Sequence, residues 1–147
     1  MFIFAKNNGV ARIVALDFGK KRTGIAVTDE LQIIASGLRT VETKELLTFL
    51  KGYVASEKVE KFVVGEPKQM NNAPSESEAL IKPFLIRLSE MFPNIPIVRQ
   101  DERFTSKMAF QSMIDGGLKK SKRRDRALVD EISATIILQA FLNREIY

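Results

Sequence analysis

Apolar positions along this chain occur either as short unbroken runs or as longer, spaced patterns. "RIVALDF" (12–18) is unbroken and rich in β-branched residues, so it predicts a strand buried on both faces. "TGIAVTD" (23–29) predicts a second strand, joined to the first by a short turn around "GKKR", and "QIIASGLRTV" (32–41) a third. The spacing then changes. In "TKELLTFLKGYVASE" (43–57), Leu46, Leu47, Leu50 and Val54 share a helical face, with Thr43 as a candidate N-cap. "VEKFVVGEP" (59–67) is a short buried strand stopped by Gly65 and Pro67. "SESEALIKPFLIRLSEMF" (75–92) is helical in spacing despite Pro83. "IPIVRQDER" (95–103) is a fifth strand ending in two acids. "SKMAFQSMID" (106–115) predicts a helix ended by Gly116 and Gly117, "GLKKSKRRDRA" (117–127) a polar loop, and "LVDEISATIILQAFLN" (128–143) a closing helix. The order βββαβαβαα implies an α/β fold. Three antiparallel strands are followed by parallel crossovers, giving a mixed five-stranded sheet with helices on both faces.

Several acids interrupt this pattern. Asp17 ends the first strand and shares a face with Ile13 and Ala15 by period-two alternation. An acid there is costly unless a cation sits beside it, and Lys20, Lys21 and Arg22 follow at once. A turn-forming Asp before Gly19 is the plainer reading. With Asp130 at zero on a helical wheel, Ala134, Ile137 and Phe141 lie within about 40° of it. Glu131, Thr135, Gln139 and Asn143 form a polar stripe to one side. Asp130 is therefore expected to face the sheet. A favourable helix dipole explains an acid in the first turn but not that direction. Asp101 and Glu102 follow the fifth strand, and Glu66 ends the fourth; a strand-end ion pair and an exposed loop acid are their plainer readings.

Composition narrows the chemistry. The 147 residues are enough for a core and contain neither cysteine nor histidine. Thiolate and imidazole catalysis, disulfides and thiolate zinc sites are excluded. A bound metal would need oxygen ligands, which points to magnesium, manganese or calcium. Carboxyl ends of parallel strands gather at one sheet edge. Carboxylates converging there repel one another unless divalent cations lie between them, and two such ions about 4 Å apart are suited to phosphodiester cleavage. The formal charge of +5 fits a polyanionic partner. Lys119, Lys120, Lys122, Arg123, Arg124 and Arg126 form a cluster that reads either as a solvated loop or as a clamp on a nucleic-acid backbone. "GKKRTG" lacks the Lys and Ser/Thr of a Walker A loop. "DFG" lacks the companion motifs of a kinase.

Four motifs in order, "ALDFGKKRTGIAVTD", "VVGEPKQMNN", "DERFTSKMA" and "VDEISATIILQAFL", resemble the YqgF/RuvX family across Arg12–Leu142. These are small bacterial RNase H-like proteins assigned to Holliday junction resolution or to pre-16S ribosomal RNA processing. The resemblance implies an RNase H-like fold and a metal-dependent nuclease using Mg2+ or Mn2+. It places Asp17, Glu102 and Asp130 as catalytic metal ligands, with Asp101 beside Glu102. Arg22, Arg103 and Thr105 match motif positions, the arginines contacting phosphate or orienting the acids. An apolar residue usually stands where Glu66 stands, although related resolvases carry an acid at that strand end, which makes Glu66 a further candidate ligand. The glycine often found after "MN" is absent from "MNNAPSES", and Ser133 replaces a usual alanine.

The leading expectation is an endonuclease maturing the 5′ end of precursor 16S ribosomal RNA. Cleavage of four-way DNA junctions is the runner-up, and a junction resolvase should be a symmetric dimer. A catalytically inactive nucleic-acid-binding module, a nucleotide phosphotransferase and a ribosome-assembly role are further classes. The expected partner is structured nucleic acid, as precursor ribosomal RNA or branched DNA, with no membrane involved. Monomer and homodimer both stay open. Residues 1–10 are read as a tail or extra strand, residues 11–147 as one nuclease domain, and the location as cytoplasmic.

Overall fold

The computed structural model describes residues 11–68, 76–102, 111 and 125–146. The antiparallel strands β1 (Arg12–Asp17), β2 (Arg22–Thr28) and β3 (Ala35–Glu42) come first. A 3₁₀ turn at Thr43–Glu45 leads into α1 (Leu46–Ser56), followed by β4 (Val59–Glu66), α2 (Glu78–Met91), β5 (Ile97–Asp101) and α3 (Arg126–Ile146). The strands form one sheet in the order β3-β2-β1-β4-β5, with β4 parallel to both β1 and β5. This is the mixed sheet expected from the alternating runs. The helix expected over 106–115, the basic cluster at 119–124 and the tail at 1–10 lie outside the described residues, apart from Gln111.

Two local expectations are corrected. The third strand begins at Ala35 rather than at residue 32. The Asp29 carboxylate accepts hydrogen bonds from the amides of Leu31 (3.0 Å), Ile33 (2.9 Å) and Ile34 (2.7 Å), so a side chain replaces the strand ladder there. Gln32 has φ 60° inside that turn, and Leu31, Ile33 and Ile34 stay exposed. Thr43 does not cap a helix. Its hydroxyl donates to the Gly19 carbonyl at 2.6 Å and lies 2.8 Å from the Thr23 hydroxyl, tying the β1–β2 turn to the start of α1. Pro83 is carried inside α2.

Strand alternation sorts the core into two layers. Val14, Leu16, Ile25, Val27, Phe62 and Val64 meet Leu46 and Leu50 of α1 and Ile81, Phe84 and Leu88 of α2. Ile13, Ala15, Ala26 and Val63 face Ala134, Ile137, Leu138 and Phe141 of α3. The second layer is built from smaller residues on the sheet side, which lets α3 lie close. At Gly24 on that face, an added Cβ would overlap the main-chain carbonyl of Asp130. Only glycine allows that approach. Asp125 accepts from the amides of Ala127 (3.0 Å) and Leu128 (3.3 Å) and so caps the start of α3.

Candidate functional site

Alternation on β1 puts Asp17 on the α3 side with Ile13 and Ala15, as the spacing predicts. Asp130 lies on the sheet-facing side of α3, four residues before the buried Ala134. Glu102 follows β5 directly, and its amide donates to the Glu66 carbonyl at 3.2 Å. Its carboxylate rests over Gly65, where a Cβ would collide with Oε2 and would also meet Ile137 at 2.8 Å. Asp17 and Glu102 thus lie at the carboxyl ends of β1 and β5 on the α3 side of the sheet, and Asp130 lies on the sheet-facing side of α3.

Their electrostatics record the crowding. Burial pushes the Asp17 carboxyl up to about 7, and the nearby Asp130 charge adds to the shift. Burial likewise raises Glu102 to about 8, with Asp17 as the next contribution; the positive Arg99 opposes it. Asp130 is also raised by burial, against the pull of Arg22 and Arg126. The Glu102 Oε2 atom is buried and has no hydrogen-bond partner among the described residues. A buried carboxylate oxygen left alone is costly, and it is a position a cation would satisfy.

The cations answer the question raised by the first turn. Arg22 Nε donates to Asp130 Oδ2 at 3.1 Å, so the partner it finds is the acid of α3 rather than Asp17. Lys20, Lys21, Arg22, Glu42 and Lys44 line an open depression of about 480 Å³ beside this pair. Among the described residues, no three acids stand close enough to enclose one ion as they are now placed. Asp17 is electrostatically linked both to Glu102 and to Asp130.

Glu66 and Asp101 occupy paired positions of β4 and β5, one residue out of phase with Gly65 and hence on the α2 side of the sheet. Glu66 pairs with Lys68 at 3.6 Å. Arg103, Thr105, Lys119, Lys120, Lys122, Arg123 and Arg124 lie outside the described residues. Sequence reasoning missed the roles of Gly24 and Gly65 and the pairing of Arg99 with Glu78. In the sequence, Gly24 reads only as a strand residue and Gly65 only as a strand stop. The Asp125 cap was open to recognition, because an Asp directly before an apolar-periodic run marks a helix start.

The family model described as "RuvX: Holliday junction resolvase" matches residues 11–144. A Christiangramia forsetii protein named "Putative pre-16S rRNA nuclease" is 66% identical over 133 residues, covering 90% of this chain and 98% of its own. A Phocaeicola vulgatus protein of the same name is 58% identical, covering 94% of this chain and 99% of its own. Among solved structures, "T. thermophilus RuvC in complex with Holliday junction substrate" superposes with a TM-score of 0.53 at 18% identity, covering 92% of this chain and 96% of that one. A second structure, "Thermus thermophilus RuvC structure", gives 0.50 at 16% identity, covering 91% and 96%. The fold is therefore shared with RuvC and is RNase H-like. With four motifs, the strand order and a match over nearly the whole sequence in agreement, the chain belongs to the RuvX family.

Proposed function

We propose that this protein is a divalent-metal-dependent endonuclease that hydrolyses phosphodiester bonds during 5′-end maturation of precursor 16S ribosomal RNA. The observation that carries this reading is the buried, unpartnered Glu102 oxygen beside Asp17, on the same face as Asp130. The names of the curated relatives support the substrate.

Asp17, Glu102 and Asp130 would hold the metal once their side chains draw closer, since no three acids among the described residues enclose one ion as they now stand. An all-oxygen donor set with raised proton affinity and one orphaned oxygen fits Mg2+ or Mn2+. When bound as a pair, such ions supply an activated water and stabilisation of the leaving oxygen. The chain's own residues do the rest. The three carboxylates must lose their protons to act as ligands, so the active state belongs to the alkaline side of their titration. Arg22, freed from Asp130, offers its guanidinium to a substrate phosphate at the mouth of the basic depression. Lys20 and Lys21 line that depression and would hold the backbone on either side of the cut. Arg103, Lys119, Lys120, Lys122, Arg123 and Arg124 are proposed as further phosphate contacts on sequence grounds. Glu66 and Asp101 are left outside the ligand set because alternation puts them on the other face.

Junction resolution is the second reading, favoured by the description of the matching family. One experiment separates the two. Wild type and Asp17→Asn are incubated with precursor 16S ribosomal RNA and with a four-way DNA junction, with and without Mg2+ or Mn2+. Metal-dependent cleavage of the RNA alone, lost in the variant, is the expected result. Cleavage of the junction alone would select the second reading. Binding without cleavage by both proteins would overturn the nuclease assignment.

A further inference from the structure

One half-buried ion pair lies close to the acids yet takes no part in the chemistry above. Arg99 of β5 and Glu78 in the first turn of α2 meet in a two-pronged contact, Nη1 to Oε2 at 2.7 Å and Nη2 to Oε1 at 2.8 Å. Glu78 is 7% exposed. The same guanidinium donates from Nε to the Val64 carbonyl at 3.2 Å and from Nη2 to the Gly65 carbonyl at 2.8 Å. These carbonyls end β4, and Gly65 is the surface on which the Glu102 carboxylate rests. Arg99 thus connects three things: the start of α2, the end of β4 and the peptide beneath a proposed ligand.

A lysine in its place would hold one charge but could not make four directed bonds in a plane. A buried ion pair contributes little net stability compared with an apolar replacement of similar volume. What it does provide is geometry. The β4–β5 register ends at Glu66 and Asp101, and the Glu102 amide still donates to the Glu66 carbonyl, so the main chain is held by β4 and the side chain takes its direction from the Gly65 peptide it rests on.

We propose that Arg99, clasped by Glu78, is a positioning residue for Glu102: by pinning the Val64 and Gly65 carbonyls it fixes the seat that aims the Glu102 carboxylate at the metal site. This rests on the nuclease reading for its functional consequence but not for its structural one. Arg99→Lys tests it directly. The double variant Arg99→Leu/Glu78→Leu tests it without leaving an unpaired buried charge, should the single variant fold poorly.

Three quantities are read on protein verified as folded by circular dichroism: the Glu102 side-chain position in crystal structures, Mn2+ affinity by calorimetry, and kcat and KM separately. The expected result is that Glu102 leaves the face of Gly65, Mn2+ affinity falls about tenfold, and kcat falls about tenfold with KM unchanged. A variant with Glu102 still seated and Mn2+ affinity within about twofold of wild type would overturn the proposal, even if its melting temperature dropped. If the wild type itself neither binds Mn2+ nor cleaves nucleic acid, the nuclease reading fails. The Glu102 position then decides alone: displacement supports the positioning role and retention overturns it.

Discussion

Glu102 leans on Gly65 with an oxygen that nothing among the described residues satisfies, so the smallest possible side chain beneath it is a sensitive probe. Gly65→Ala should displace the carboxylate and lower cleavage by about 10²–10³, the scale seen when one directed electrostatic contribution is removed. A single-turnover assay on folded protein checks this. Asp17 and Glu102 also make a prediction about stability. Burial and mutual repulsion push their carboxyls up to about 7 and about 8, from ordinary values of 3.8 and 4.5. Between those limits the native state binds more protons than the unfolded chain. Metal-free stability should therefore be highest below about pH 4 as far as these groups are concerned, and fall as pH rises toward 8. Asp17→Asn should abolish cleavage and raise the pH 8 melting temperature, by about 2–4 °C for each kcal/mol of repulsion relieved. A pH series of thermal melts checks the sign. At this scale Asp17 and Asp130 were legible in the sequence, because a charge in an apolar register is conspicuous. Gly65 and Arg99 were not: a glycine at a strand end looks like a stop, and Arg99 finds Glu78 only after β4, α2 and β5 have assembled.

The element that decides the site's width is α3. Its main chain at Asp130 lies against Gly24 of β2, and the Thr40 hydroxyl donates to the Ala127 carbonyl at 2.6 Å, so helix and sheet meet through backbone atoms. Gly24→Ala should force them apart. A destabilisation of about 1–3 kcal/mol is expected from overpacking, read from the urea midpoint, with cleavage reduced beyond what the unfolded fraction explains. Asp125→Ala should cost about 1 kcal/mol through removal of the cap, and the same urea titration reads it. The helical periodicity of 128–143 anticipated which side Asp130 would face, because 3.6-residue spacing is a strong signal over that length. The start of the third strand was harder to place. Asp29 competes for the amides of residues 31–34, and the apolar run that looked like strand stays in the turn.

For the whole molecule, ligand linkage and charge make the remaining prediction. Mg2+ should raise the melting temperature more at pH 8 than at pH 6, since the carboxylates must be ionised to bind it. Replacing Lys20 and Lys21 with glutamine should reduce the slope of log affinity against log salt by about 1 for each phosphate no longer neutralised, checked by filter binding of precursor RNA. The mixed sheet, three antiparallel strands and then parallel crossovers, followed from where apolar runs alternate with spaced ones; which strands lie side by side came only with the structure. The pairing of Arg22 with Asp130 did not follow from the sequence, because 108 residues separate the two and no local pattern records it. The sheet also acts as a partition. Phe62, Phe84 and Leu88 sit on one side of it and every proposed ligand on the other. Each side has its own apolar core, so the acids share a layer with Ile13, Val63, Ile137 and Phe141, and the Arg99–Glu78 pair reaches them through the β4 backbone from the opposite side.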